Sequence, residues 1–191
     1  MREFTESYYK RLVELLNHVV VTKKEAGKLD FYEGIEAAGN LIVTQANSGN
    51  KLMFIGNGAS AAISSHMSTD FWKNGGIKAV AFNDSSLLTC VSNDYGYKHV
   101  FAKPIEMFSD KDDVILAISS SGKSENIING VSSARSKGCH IITLSGFSQD
   151  NPLRDLGDIN FYVPESSYGL VEVVHHSICH CILDCIVESK A

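Results

Sequence analysis

His66 and Asp70 lie four residues apart, so on a helix they share one face, an imidazole and a carboxylate able to hold one ligand or pass one proton. Glu172, His176 and His180 form a second such row. Each step of that row turns only about 40° from the last, so Glu172 and His180 can face one cavity. Two imidazoles and two carboxylates can bind a divalent metal such as zinc or act as an acid–base pair. The competing reading is structural: a helical histidine is often the satisfied partner of a backbone or carboxylate group, and His175 and His176 cannot both point inward. Cys179, Cys181 and Cys185 could be soft ligands, although small buried thiols on a packed helix are commoner.

Two loops could cradle an anion beside these groups. Ile55-Gly56-Asn57-Gly58-Ala59-Ser60-Ala61 follows an apolar run and precedes a helical stretch; its glycines permit a sharp turn, and free amides at the helix start attract negative charge. It also fits G-x-G-x-x-A, a relaxed dinucleotide fingerprint whose acidic partner would be Asp84. Ser119-Ser120-Ser121-Gly122-Lys123-Ser124 offers four hydroxyls, a flexible glycine and a second helix start, an outline of a phosphomonoester site that needs no metal. That segment misses the nucleotide-binding G-x-x-x-x-G-K-[ST] pattern by its first glycine alone. Plain helix capping by Ser121 or Ser124 is the structural alternative.

The elements that must position these groups follow from periodicity. Phe4, Tyr8, Leu12, Leu15 and Val19 fall at helical spacing, and Phe31, Ile35, Ala38 and Ile42 repeat the pattern after a break around Gly27, which predicts two opening amphipathic helices. Short apolar runs then alternate with helical stretches: KLMFI, Ala59 to Lys73, KAVAF, two short helices, DVILAI, Ser124 to Lys137, HIITL and INFYV. This alternation predicts a parallel sheet covered by helices on both faces. Val171, Val174, Ile178 and Ile182 mark a long last helix, from Leu170 to about Glu188. Function then belongs in the loops at the carboxyl ends of the strands.

At 191 residues, 44% hydrophobic and 20% charged, the chain suits one domain, a helical extension over 1–48 followed by an α/β core and last helix over 49–191. Seventeen Lys plus Arg against 22 Asp plus Glu leave a net charge of −5 without a basic stripe, which argues against a nucleic-acid partner. The opening MREFTESYYKRLVELL lacks the apolar run of a signal peptide, and no later segment is expected to span a membrane, so a soluble cytoplasmic protein is expected. Five cysteines, three of them on one helix, predict reduced thiols rather than a disulfide framework. The one tryptophan, Trp72, is expected to pack a helix or a subunit contact.

Taken together, GNGAS after the first core strand, NDYG at Asn93 to Gly96, SSSGKS after the third, and a last helix with Glu172 and His180 resemble the SIS (sugar isomerase) family, and within it the phosphoheptose isomerases. The similarity covers nearly the whole chain and demotes the dinucleotide and nucleotide-loop readings. It implies a flavodoxin-like three-layer α/β/α domain, a homotetramer with active sites between subunits, no nucleotide cofactor, and a phosphate held by the serine loop. Asn57, Gly58 and Ala59 occupy the family's substrate-binding Asn-Gly-Gly stretch, with Ser60 closing the motif. Asn93 and Asp94 match its Asn-Asp pair, and Ser119, Ser120, Ser121 and Ser124 its serine cluster. The family's metal and acid–base set implies His66, Asp70, Glu172 and His180 here, but Asp70 stands where a Glu is usual and Glu172 where a Gln is usual. Lys73 stands near the place of a usual Arg, without its bidentate geometry.

The expected activity is aldose–ketose isomerisation of sedoheptulose 7-phosphate to a heptose 7-phosphate through an enediol or enediolate. Asp70 and His180 are the acid–base pair, supported by Glu172 and His66, with zinc as the candidate metal. The alternative is a non-catalytic SIS module that binds a sugar phosphate or a protein partner such as a replication initiator, since altered positions 70 and 172 are what relaxed catalysis would leave.

Overall fold

The computed structural model describes residues 1–190. Strands β3 (Leu52–Gly56), β5 (Val114–Ser119) and β6 (His140–Ser145) are almost entirely buried, as expected for apolar runs covered on both faces. They pair in parallel, Leu52 opposite Val114 and Val114 opposite His140. β4 (Ala79–Ala81) adds to β3, and β7 (Ile159–Tyr162) adds to β6, also in parallel.

Alternation along each strand divides the interior into two cores. Leu52 and Phe54 of β3 meet Ile42 of α2 (Phe31–Asn47), Met67 and Phe71 of α3 (Ala59–Lys73) and Ile178 of α7 (Tyr168–Glu188). Met53 and Ile55 point the other way, toward Ile105 of α5 (Ala102–Phe108) and Ile127 and Val131 of α6 (Glu125–Ser136). The result is the expected three-layer α/β/α arrangement. Each fully buried large side chain contributes about 1.5–3 kcal/mol, so both faces of the sheet are held firmly beneath the loops that follow β3 and β5.

The first 48 residues differ from the expected helix pair. Between α1 (Arg2–Leu16) and α2 runs a hairpin, β1 (Val20–Lys23) and β2 (Gly27–Leu29), whose first strand pairs antiparallel with β7. The seven-stranded sheet, in the order β2-β1-β7-β6-β5-β3-β4, is therefore mixed. Val19 lies outside α1 and, with Val21, is buried at the edge of the first core. Gly27, with φ +77°, supplies a turn conformation that side chains resist. α2 opens with a reciprocal cap, in which Asp30 accepts from the Glu33 amide at 2.8 Å and Glu33 accepts from the Asp30 amide at 3.1 Å.

α1 buries only Leu15 and exposes Phe4, Tyr9 and Val13, and Trp72 on α3 is about half exposed. α7 is long and apolar enough to cross a membrane by length and composition, contrary to the expectation that no segment would be; half of its most apolar stretch is buried in the protein. All five cysteines are free.

Candidate active site

From β3 the chain steps outward to β4, whereas β5, β6 and β7 extend the sheet from the opposite side of β3. Such a reversal opens a crevice at the carboxyl ends of the two central strands. Both candidate anion loops lie there, 56–60 after β3 and 119–124 after β5.

In the first loop Gly56 is obligatory, because a Cβ there would come within 2.5 Å of the Ser60 carbonyl. Gly58, with φ +56°, is the N-cap of α3 and offers no side-chain cap. In the second loop Gly122 has φ +62°, and its amide donates to the Ser119 carbonyl (3.0 Å) and hydroxyl (3.2 Å). Ser124 is the N-cap of α6 but makes no side-chain capping bond; its hydroxyl instead lies 3.4 Å from that of Ser119. The capping explanation for Ser124 therefore fails; neither helix is capped by the side chain of its N-cap residue, and each start presents the positive end of the helix dipole.

These loops enclose a cavity of about 220 Å³. Asn57, Gly58, Ala59 and Ser60 form one wall and Ser119, Ser120, Ser121 and Ser124 the other, while Tyr168 and Glu172 at the start of α7 close it. The Ser120 hydroxyl is buried without a partner, a cost of about 1–3 kcal/mol unless something binds there. Among the lining residues there is no lysine or arginine, so hydroxyls and helix ends must carry an anion against the Glu172 carboxylate.

One turn along α7 from Glu172 begins an imidazole cluster. The His176 and His180 rings are 4.7 Å apart, and each lies 5.4 Å from the His66 ring on α3. Ring nitrogens of the three histidines lie within 4.8 Å of one another. Asp70 Oδ2 is 3.3 Å from His66 Nε2. Burial, and then the neighbouring His180 and His66 rings, pull the His176 pKa below its ordinary value, and its Nε2 is buried without a partner.

His175 has turned the other way, as two adjacent histidines must. It is fully buried, donates from Nε2 to the Ser145 carbonyl (3.1 Å), and is held neutral with its pKa pushed down to about 4 by desolvation. Burial raises the Cys179 thiol to about 12, an inert core group rather than a soft ligand.

The expected residues thus fall into three places. The serines, Asn57 to Ser60, and Glu172 share the cavity; His66, Asp70 and His180 gather beside it; Asn93 and Asp94 sit on the exposed face of α4 (Ser85–Tyr95), bonded to each other at 2.8 Å. Asp84, the acid a dinucleotide would need, caps α4 by accepting from the Leu87 amide at 3.0 Å. Sequence reasoning missed Tyr168, Tyr97 and Asn126, and gave His176 no role. Tyr97 and Asn126 both bond to Asn57. The available signals were their places just after NDYG and just after the serine loop.

A family model for the SIS domain matches residues 7–146. The phosphoheptose isomerase of Aliarcobacter butzleri is 35% identical over 160 residues, covering 78% of this chain and 84% of its own length. That of Tolumonas auensis is 32% identical over 188 residues, covering 93% and 97%. The structure of a phosphoheptose isomerase from Francisella tularensis matches with a TM-score of 0.86 at 27% identity, over 100% of this chain and 99% of that one. The chain belongs to the SIS domain family and, within it, to the phosphoheptose isomerases.

Proposed function

We propose that the protein interconverts sedoheptulose 7-phosphate and D-glycero-D-manno-heptose 7-phosphate through an enediol or enediolate. The observation that carries this reading is the convergence of both anion loops and Glu172 on one cavity, one helical turn from His176 and two from His180. Ser119, Ser120, Ser121 and Ser124, with the amides at the start of α3 and α6, bind the phosphate. Asn57, Gly58, Ala59 and Ser60 border the sugar.

Isomerisation moves a proton from C1 of the ketose to C2, while the O1 hydroxyl loses its proton and the O2 carbonyl gains one. Asp70 and His180 are the acid–base pair. His66 orients Asp70 through their 3.3 Å contact, and Glu172 stands at the cavity wall. Asn93 and Asp94 serve the site through the segment that follows them, whose Tyr97 reaches Asn57.

The donor set fits zinc, since three imidazoles with a carboxylate alongside are typical ligands and the orphaned His176 nitrogen lacks any other partner. His66, His176 and His180 would hold it, with Asp70 and Glu172 flanking them. Bound there, such an ion would supply polarisation of the substrate carbonyl. The exposed apolar residues of α1 and Trp72 support a homotetramer, and the composition and sugar-phosphate substrate support a cytoplasmic location.

The test is turnover of sedoheptulose 7-phosphate by His180→Ala and Asp70→Ala. Each should lose at least about 100-fold in kcat, the lower end of what a general acid or base supplies. Wild-type rates in both would remove the assignment.

A further inference from the structure

The Asn57 side chain is held by three groups from two other elements. Its Nδ2 donates to Asn126 Oδ1 at 2.9 Å, Asn126 Nδ2 donates back to Asn57 Oδ1 at 2.8 Å, and the Tyr97 hydroxyl donates to the same Asn57 oxygen at 2.9 Å. Which end of each amide is oxygen follows from one backbone group. The Ile127 N–H can only donate; besides the Ser124 carbonyl it meets the Asn126 side chain at 3.0 Å, so that atom is the oxygen. The Asn57 atom facing it is then nitrogen, and the Asn57 atom facing Asn126 Nδ2 is oxygen. Both lone pairs of Asn57 Oδ1 are used, and one N–H remains.

Asn126 is buried at the start of α6. Tyr97 is more than half exposed, so its hydrogen bond rather than packing keeps the hydroxyl on Asn57. Its position comes from the NDYG segment: Gly96, at φ +86°, turns the chain out of α4 into a 3₁₀ turn, Tyr97–His99, which Asn129 of α6 pins by donating to the Lys98 carbonyl at 3.0 Å.

We propose that Tyr97 and Asn126 are positioning residues that fix Asn57 as a single hydrogen-bond donor in the cavity, so that the site accepts an acceptor oxygen of the substrate at this point and disfavours a hydroxyl that must donate. The NDYG segment acts through Tyr97 rather than through Asn93 and Asp94. The inference deepens the sugar-phosphate reading and rests on its cavity. A free amide could flip to suit either kind of partner, whereas a clamped one leaves the wrong partner unpaired, a penalty that discriminates strongly between substrates.

The experiment is a double-mutant cycle on the full-length protein. Affinity for sedoheptulose 7-phosphate and for inorganic phosphate is measured by calorimetry, alongside kcat and KM and the unfolding midpoint. Asn57→Ala and Asn126→Ala should each weaken sedoheptulose 7-phosphate binding about tenfold, as expected for one hydrogen bond to a charged or polar oxygen, and Tyr97→Phe about threefold. In the Asn57→Ala background the other two substitutions should add nothing, because residues acting through one group do not add. Parallel loss of phosphate affinity assigns the acceptor to the phosphate; loss confined to the sugar phosphate, or to kcat, assigns it to a sugar oxygen.

Additive losses would mean that Asn126 and Tyr97 merely support the fold, and would overturn the proposal. Binding without turnover would defeat the isomerase reading while the cycle still decided this one. Wild-type protein that bound neither probe would overturn both.

Discussion

Replacing Gly122 by alanine tests how the serine loop is held. The residue sits at φ +62°, and an added Cβ would be driven into the Asn151 amide, 2.8 Å from its Cβ and nearer still to Oδ1. Asn151 is fully buried; its Oδ1 accepts from the Arg154 amide (3.2 Å) while its Nδ2 donates to the Ser148 carbonyl (2.8 Å). The Leu153 amide reaches back to the Gly122 carbonyl at 3.1 Å. Left-handed backbone strain alone costs about 1–2 kcal/mol. Displacing Asn151 adds the loss of a cap and of buried hydrogen bonds, about 2–3 kcal/mol more. Gly76→Ala is the control, since Gly76 has φ +65° with nothing within 4 Å of its would-be Cβ. In urea unfolding, Gly122→Ala should lose about 3–5 kcal/mol and Gly76→Ala about 1–2 kcal/mol, and only the former should raise the KM for a phosphorylated substrate. Equal destabilisation with unchanged KM would show that Asn151 does not hold the loop.

Three further outcomes follow from the site. Glu172→Gln removes a negative charge from a cavity without a cation, so affinity for inorganic phosphate should rise about 3–10-fold; an unchanged or lower affinity by calorimetry would place Glu172 away from the phosphate. His176→Ala should weaken binding of cobalt, followed by visible absorption, by about 100-fold or more, since even partners outside the ligand set cost 10–100-fold; binding equal to wild type would exclude His176 as a ligand. His175 titrates near 4 when folded and near 6.5 ordinarily, so the unfolded chain takes up its proton first as pH falls. Its contribution is intact above about pH 6.5 and declines by up to about 3 kcal/mol toward pH 4. His175→Gln should flatten that part of the stability profile, and a profile identical to wild type would contradict the burial argument.

Much of the site was legible because its parts are local. Gly56, Gly58 and Gly122 mark turns that few other residues can make, and each follows an apolar run of strand length. The hairpin was not legible: β1 is four residues long, and Val19 also fits the helical spacing of Leu12 and Leu15, so the longer period concealed the shorter one. The choice between His175 and His176 could have been made from phase. His175 falls with Val171, Ile178 and Ile182 on the buried stripe of α7, whereas His176 falls with Glu172 and His180. The Asn57 clamp joins residues 69 and 40 positions apart, and periodicity carries no information about such a pairing.

The isomerase activity is tested by NMR observation of the purified, metal-analysed protein with sedoheptulose 7-phosphate in D₂O, with and without added zinc. Appearance of a heptose 7-phosphate, with deuterium entering at the carbon that exchanges its proton, is the predicted result. No conversion and no exchange under either condition would contradict it.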